Sequence, residues 1–580
     1  MISKLYFTIT FLSLFFFVYT KTNAQSPDWS WAKGIGGTDF DQVNSMVVDP
    51  GGSGDVYTTG FFEGTIDLDP GLGTFNLMSE GETDIFISKL DGSGNLVWAK
   101  AMGGISYDSG ESIALDASGN VYITGNFNES MDFDPGEGVF NLTETGGFIS
   151  KFDPLGNFVW AKTIGGNGNN IALDIFGGGD IYITGHFLET NDFDPGPGIY
   201  NLSSAGLYDI FILKLDGAGN FIWAKAMGGM YYDYVSSIAV DPKGSGNIYT
   251  TGEFRGTIDF NPDSLGIFNL NSNGEYDIFI LKLNSSGNFE WAKGIGGTED
   301  DYGSSLIVDP AGSGDIFTTG GFEGTVDFNP DSLAILNLTA LGFADVFISR
   351  LDSLGNFVWT KAMGKKDGSV SSVCIAVEPS GSGGIYTTGE FGARVDFDPG
   401  PGIFNLSATS DGFDCFISKL DGSGNFVWAK AMGGLYYDEG RSIIVDALDQ
   451  VHVAGTFESS SLSFGSITLT NTDNLNNSSD LFIAKLNAST TSLLKAEVKS
   501  QAFNIYPNPT TDQLIITSIQ DNVINYEITI NNIIGEIALS TSGHNNENEI
   551  IFDMSALAPG IYFIALDLDG NRVIRKIVKE

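Results

Sequence analysis

Two cysteines and three histidines are all that the 580 residues offer to disulfide or soft-metal chemistry. Cys374 and Cys415 stand at apolar positions of two segments that read as strands with a third strand between them. Strands two apart lie roughly 9–10 Å from each other, beyond disulfide reach, so both read as small buried thiols. The histidines, His186, His452 and His544, show no two-histidine metal spacing, and no nucleophile elbow is present. Positive charge is also scarce, with 28 Lys and Arg against 72 Asp and Glu and a formal net charge of -44. That balance argues against nucleic acid or an anionic membrane as partner and favours cations, or simply solubility. Beyond the N-terminus no apolar run approaches membrane-spanning length. Met1–Ala24 carries Lys4, an apolar run from Leu5 to about Val18, and Thr22-Asn23-Ala24. This is the pattern of a secretory signal peptide, its run shorter than the roughly 20 residues of a spanning helix. The expected mature chain has no transmembrane segment.

What the sequence does have is a repeat. Trp31, Trp98, Trp160, Trp223, Trp291, Trp359 and Trp428 each open a Trp-Ala-Lys or Trp-Thr-Lys triplet, spaced 62 to 69 residues apart. In the second copy, Glu111–Asp116, Val121–Phe127, Phe148–Asp153 and Phe158–Ile164 are short β-branched and aromatic runs separated by turn residues. Four such strands, A to D, with no helical period describe a propeller blade. Strand B recurs seven times, from Val56-Tyr57 to Val451-His452. The seventh copy supplies A, B and C (480–487) but no Trp-Ala-Lys strand, while Trp29–Lys33 is a D strand without companions. The expected architecture is therefore all-β: a seven-bladed β-propeller over 26–488, closed by its N-terminal strand, which removes two free sheet edges. Trp and Lys two apart on strand D share a side, so the tryptophans read as structural, packed between blades with the lysine stem alongside.

The run Ile-Tyr-x-Thr-Gly-x-Phe, followed by Asp-x-Phe-Ile-x-Lys-Leu-Asp-x-x-Gly-Asn-x-x-Trp-Ala-Lys, resembles the bacterial SBBP propeller repeats. The resemblance implies a fold and no particular activity. After a polar linker at 489–502, residues 503–580 read as a small antiparallel β-sandwich of short alternating strands. Tyr506-Pro507-Asn508-Pro509, Asn532-Ile-Ile-Gly535, Leu557-Ala-Pro-Gly560-Ile-Tyr562-Phe and the basic end Arg575–Lys579 look like the type A sorting domain of the type IX secretion system of Bacteroidota. That resemblance implies the type IX machinery as partner. It also implies a secreted or outer-membrane surface location, with the sorting domain removed on export.

The long D-to-A and B-to-C connections are expected on one face, and long loops on a rigid scaffold are where function is placed. Candidate ligand residues in the D-to-A loops are Tyr107, Asp108, Tyr231, Tyr232, Asp233, Asp301, Tyr302, Tyr436, Tyr437 and Asp438. The B-to-C loops carry Asp67-x-Asp69, Asp132-x-Asp134, Asp192-x-Asp194 and Asp396-x-Asp398, each followed by Pro-Gly. Carboxylates two apart on an extended segment could ligate calcium, and Asp-Pro-Gly is equally a plain type II turn. Two loops break the symmetry: the shortened Gly166-Asn167-Gly168-Asn169, and Gly364-Lys365-Lys366-Asp367 with its two lysines. No catalytic constellation appears. The leading reading is a non-enzymatic module that binds an extracellular protein or glycan; the alternatives are a polysaccharide hydrolase or lyase and a structural surface component.

Overall fold

The computed structural model describes residues 26–175, 178–263, 266–331, 335–364, 369–409, 412–473, 478–487, 503–506, 510, 513–518, 524–532, 537–545, 549–568 and 571–579. The expected signal peptide and linker, together with Lys365, Lys366, Pro507, Asn508, Pro509 and Gly535, lie outside them. The described residues form strands and turns with no helix, an all-β, propeller-like fold. None of their helices, there being none, could cross a membrane. Contacts divide the chain into two units, 1–490 and 491–580.

In the first unit the strands pair in the order A-B-C-D, as in Ser109–Leu115, Val121–Phe127, Gly146–Phe152 and Phe158–Ile164. The same order recurs in the first repeat (41–102) and in the third to sixth (167–227, 234–295, 301–363, 369–432). Strands Asp438–Val445, Val451–Phe457 and Asp480–Leu486 are joined in the fourth place by Trp29–Gly37, with Trp31 opposite Lys485 and Ile35 opposite Leu481. No described sheet closes on itself. Each A strand touches the A strand of the next repeat, and the seventh touches the first.

Burial explains the strand types. The B strands sit between two partners and are almost continuously buried and β-branched, whereas D strands are edges that alternate with solvent. Adjacent repeats are pinned by the tryptophans. The Trp98 indole N–H donates to Pro154 O (3.3 Å), Trp223 to Ser285 O (3.4 Å) and Trp359 to Gly422 O (3.4 Å), each a carbonyl of the next repeat's C-to-D turn. The glycine of that turn is required twice over. Gly156 and Gly219 have φ of 78°, and a Cβ on either would meet the preceding repeat's indole at about 3 Å. The indole also lies edge-on to the strand B tyrosine of its own sheet, as Trp98 does to Tyr57 at 6.1 Å. Trp223→Ala should therefore destabilise the protein by about 3–5 kcal/mol, measured as a lowered midpoint in denaturant.

The B-to-C connection forms a second small hairpin, such as Thr190–Asp192 with Asn201–Ser203. Its return strand reaches the start of strand D, placing Tyr200 against Phe221 (4.9 Å) and Phe404 against Phe426 (4.8 Å). The Asp-Pro-Gly turns thus run along the outer strands, while the first aspartate of each borders the start of a D-to-A loop, as Asp67 does opposite Gly36 and Asp396 opposite Gly364.

In the second unit, Phe503–Tyr506, Gln513–Ser518 and Glu549–Asp553 form one sheet. Ile524–Asn532, Ile537–Asn545, Gly560–Leu568 and Asn571–Lys579 form the other, and Leu514, Phe552, Ile528, Ile564 and Ile577 share one core cluster. Strand 537–545 was not anticipated. Tyr562 is buried and its hydroxyl donates to Ala558 O (2.9 Å); Gly560 opens its strand.

Candidate functional site

The aspartates expected to face a ligand from the D-to-A loops are buried. Asp108, Asp233, Asp301 and Asp438 are each 0% exposed. One oxygen accepts from the second glycine of the Gly-Gly that follows strand D: Gly104 to Asp108 (2.7 Å), Gly229 to Asp233 (2.9 Å), Gly297 to Asp301 (2.7 Å) and Gly434 to Asp438 (2.7 Å). The other accepts from the first or second residue beyond strand B, as Asn128 N–H does to Asp108 (3.0 Å) and Arg255 N–H to Asp233 (3.1 Å). They are loop latches, the two oxygens of one carboxylate accepting from two loops where water is excluded. A second aspartate, on strand C, lies beside each latch, and no sequence feature had drawn attention to it: Asp84, Asp209, Asp277 and Asp414, with Asp480 likewise beside buried Asp41. Its carboxylate fills the space beside the first glycine, so a Cβ at Gly103 or Gly228 would fall about 2 Å from it. The double glycine after Met102, Met227 and Met432 follows from this pair. Burial raises the Asp84, Asp233, Asp301 and Asp438 carboxyls to about 7, with the neighbouring aspartate adding to it.

The tyrosines do reach solvent: Tyr107, Tyr231, Tyr232, Tyr436 and Tyr437 are exposed, while Tyr302 is half-buried. Arg255 shows what this surface holds, lying over the rings of Tyr231 (5.1 Å) and Tyr276 (5.9 Å) with its guanidinium 2.6 Å from Glu275.

The Asp-x-Asp carboxylates serve turns. Asp67 Oδ1 accepts from Asp69 and Phe75 N–H, Asp132 from Asp134 and Phe140, Asp192 from Asp194 and Tyr200, and Asp396 from Asp398 and Phe404. Asp69, Asp134, Asp194 and Asp398 each accept from the glycine two residues on. Among the described residues no three acidic, His or Cys side chains converge on one point as a metal cluster.

The shortened loop does something different. Between the second and third repeats the four residues corresponding to Ile105–Asp108 are missing after Gly166, and only Thr143, Glu144 and Thr145 separate Leu142 from Gly146. Both aspartates of the pair are thereby lost, with Gly146 and Gly166 in their register positions. The result is a groove of about 880 Å³. His186, Tyr208 and Asn167 line one part of it, Asn191, Asp192 and Asp194 another, with Thr145 and Lys162 along its wall. Asn167 Nδ2 lies 3.2 Å from His186 Nε2, and the His186 ring stands edge-on to Tyr208 (4.8 Å) and Tyr234 (5.4 Å). Burial lowers the His186 pKa, keeping the ring neutral near pH 7. Behind it Tyr232 stacks parallel to Tyr234 at 6.1 Å. The sequence had marked the deletion but not the histidine, which stands where other B strands carry Phe61, Asn126 or Glu253.

Comparison with known proteins agrees with both units. Residues 504–580 match the secretion system C-terminal sorting domain, and residues 97–129 match the SBBP β-propeller repeat. An uncharacterized WD repeat-containing protein of Acanthamoeba polyphaga mimivirus is 24% identical over 517 residues, covering 75% of this chain and 36% of its own. Regulatory protein FlaEY of Caulobacter vibrioides is 23% identical over 403 residues, 57% of this chain and 42% of its own. The chain thus spans well under half the length of either relative. A fungal alcohol oxidase solved with copper overlaps 96% of this chain and 100% of its own at 12% identity and a TM-score of 0.37, too slight a likeness to carry an argument. The sorting tail implies the type IX secretion machinery and places the protein outside the cell or on the outer-membrane surface.

Proposed function

We propose that residues 26–488 form a closed seven-bladed propeller, carried outward by the sorting domain at 503–580, that binds a glycan in the groove between its second and third blades. Ring closure is supported by the pairing of Trp29–Gly37 with Asp480–Leu486 and by the contact between the seventh and first A strands. The observation that carries the binding site is the coordinated loss at one interface of two loop segments and a buried acid pair, opening the 880 Å³ groove. Among the described residues this interface alone has neither acid of the pair.

The lining favours a sugar over a protein. Tyr208 and neutral His186 bring aromatic carbon to the groove for the C–H side of a pyranose, while Asn167 and Asn191 bring amide groups for its hydroxyls. Asp192, Asp194 and Glu144 exclude polyanionic chains, so the favoured ligand is a neutral or amino-bearing glycan. On an array of neutral, amino and uronic-acid glycans, the full chain should bind the first two classes. Tyr208→Ala should weaken that binding by about tenfold or more, near 1.4 kcal/mol, without lowering the melting temperature. Binding confined to uronic acids, or unaffected by Tyr208→Ala, would contradict the reading.

A further inference from the structure

We propose that the paired buried aspartates between repeats are calcium sites, one at each interface that keeps both acids: Asp84 with Asp108, Asp209 with Asp233, Asp277 with Asp301, Asp414 with Asp438, and Asp480 with Asp41. Two carboxylates face each other where solvent is absent, every member being at most 3% exposed. In each pair the strand C aspartate uses one oxygen to accept from its own loop, as Asp84 does from Glu80 N–H and Asp209 from Ala205 N–H. Its other oxygen, Oδ1 of Asp84, Asp209, Asp277, Asp414 and Asp480, is buried without any hydrogen-bond partner.

The interface between the fifth and sixth repeats offers a comparison. There Val370, opposite Phe391, holds the strand A place that Asp438 holds opposite Phe457, and Asp345 Oδ1 accepts from Gly342 N–H at 3.4 Å. The oxygen goes unpartnered only where a second carboxylate stands opposite. A buried carboxylate oxygen left unpaired costs several kcal/mol, and two negative charges across a dry interface add to it. A hard divalent cation removes both penalties. Among the described residues the charged neighbours that add to the fields of these pairs, Glu80, Glu323, Asp39 and Asp473, are all acidic.

With two carboxylates and the remaining ligands from backbone carbonyls and water, oxygen chemistry of this kind selects Ca²⁺ at roughly 10⁻⁴–10⁻³ M, the range of extracellular modules. These sites are independent of the glycan groove, whose interface has neither acid. The test uses the full chain, stripped with EDTA and then dialysed against CaCl₂ at about 5 mM, above that range. Bound calcium near five equivalents, with a raised melting temperature, is the expected result. Asp209→Asn and Asp277→Asn, each isosteric with a neutral carboxyl, should each remove one equivalent, whereas Asp69→Asn in the Asx turn should remove none. The proposal fails if the chain binds no calcium and its melt does not move, or if Asp69→Asn lowers the stoichiometry while Asp209→Asn and Asp277→Asn leave it intact.

Discussion

Deletion of residues 29–35 is expected to abolish cooperative folding of the first unit. The strand makes the fourth member of the last sheet, pairing from Trp29 opposite Leu486 to Ile35 opposite Leu481. Trp29 packs edge-on to Phe464 at 4.9 Å, and Lys430 from the sixth repeat caps it, 5.3 Å from the ring and 2.7 Å from Pro27 O. Ala32 and Ile35 are buried. Removing a large buried side chain costs about 3–5 kcal/mol, and this deletion removes two tryptophans and Ile35 together with a row of ladder hydrogen bonds. The sum is comparable with the roughly 5–15 kcal/mol that stabilises an ordinary domain. It would also leave strand 480–486 as an unpaired apolar edge, so aggregation should accompany the loss. Thermal denaturation monitored by near-ultraviolet circular dichroism should show no native transition. A melt within a few degrees of the parent would mean that the N-terminal strand only decorates the last sheet.

In calcium-free buffer the protein should become less stable as pH rises from about 4 to about 8, the reverse of the usual acid sensitivity. The sign follows from the buried pairs. In the unfolded chain their carboxyls ionise near the ordinary 3.8; in the folded chain Asp84, Asp233, Asp301 and Asp438 hold their protons to about 7, and Asp209, Asp277 and Asp480 to about 6, chiefly because burial penalises the charge. Between those values the folded state binds more protons, so its advantage is complete below about pH 4 and lost as pH passes through 6 to 7. Moving one such carboxyl from 3.8 to about 7 corresponds to about 4 kcal/mol, and within a pair the first ionisation opposes the second. Groups with lowered pKa act below this window. Asp91, held down by the Asn95 backbone N–H and amide, gives up its contribution only in stronger acid. Differential scanning calorimetry across this range checks the prediction, and Asp301→Asn should flatten the profile. A melting temperature that climbs steadily with pH would show that the pairs do not govern it.

Much of the fold was legible because its determinants are local. Val-Tyr-x-Thr-Gly announces a buried strand by composition alone, and Asp-x-x-Gly-Asn announces a hairpin turn whose glycine must take positive φ, as Gly94 and Gly156 do. The tryptophan spacing gave the number of repeats. The paired aspartates were not legible, since in four pairs the members lie about two dozen residues apart on different strands, in the fifth Asp41 and Asp480 stand near opposite ends of the repeats, and nothing local distinguishes buried Asp84 from half-buried Asp91. Their burial made Asp108, Asp233, Asp301 and Asp438 latches where the sequence suggested ligands. The course of the Asp-x-Asp loops was not legible for a related reason: a small hairpin folds them along the outer strands, and its register depends on tertiary contacts such as Tyr200 with Phe221. The groove was half legible. Its missing residues show in the spacing around Gly166, but the convergence of His186, Tyr208 and Asn191 requires the third dimension.

The central claim is that the broken interface between the second and third repeats is the ligand site, and refilling it tests this most directly. Inserting Ile-Ser-Tyr-Asp between Gly166 and Asn167 restores the loop that the first interface carries at Ile105–Asp108. Glycan binding by this variant should fall to background while its melting temperature holds within a few degrees of the parent. Undiminished binding with the groove filled would contradict the account.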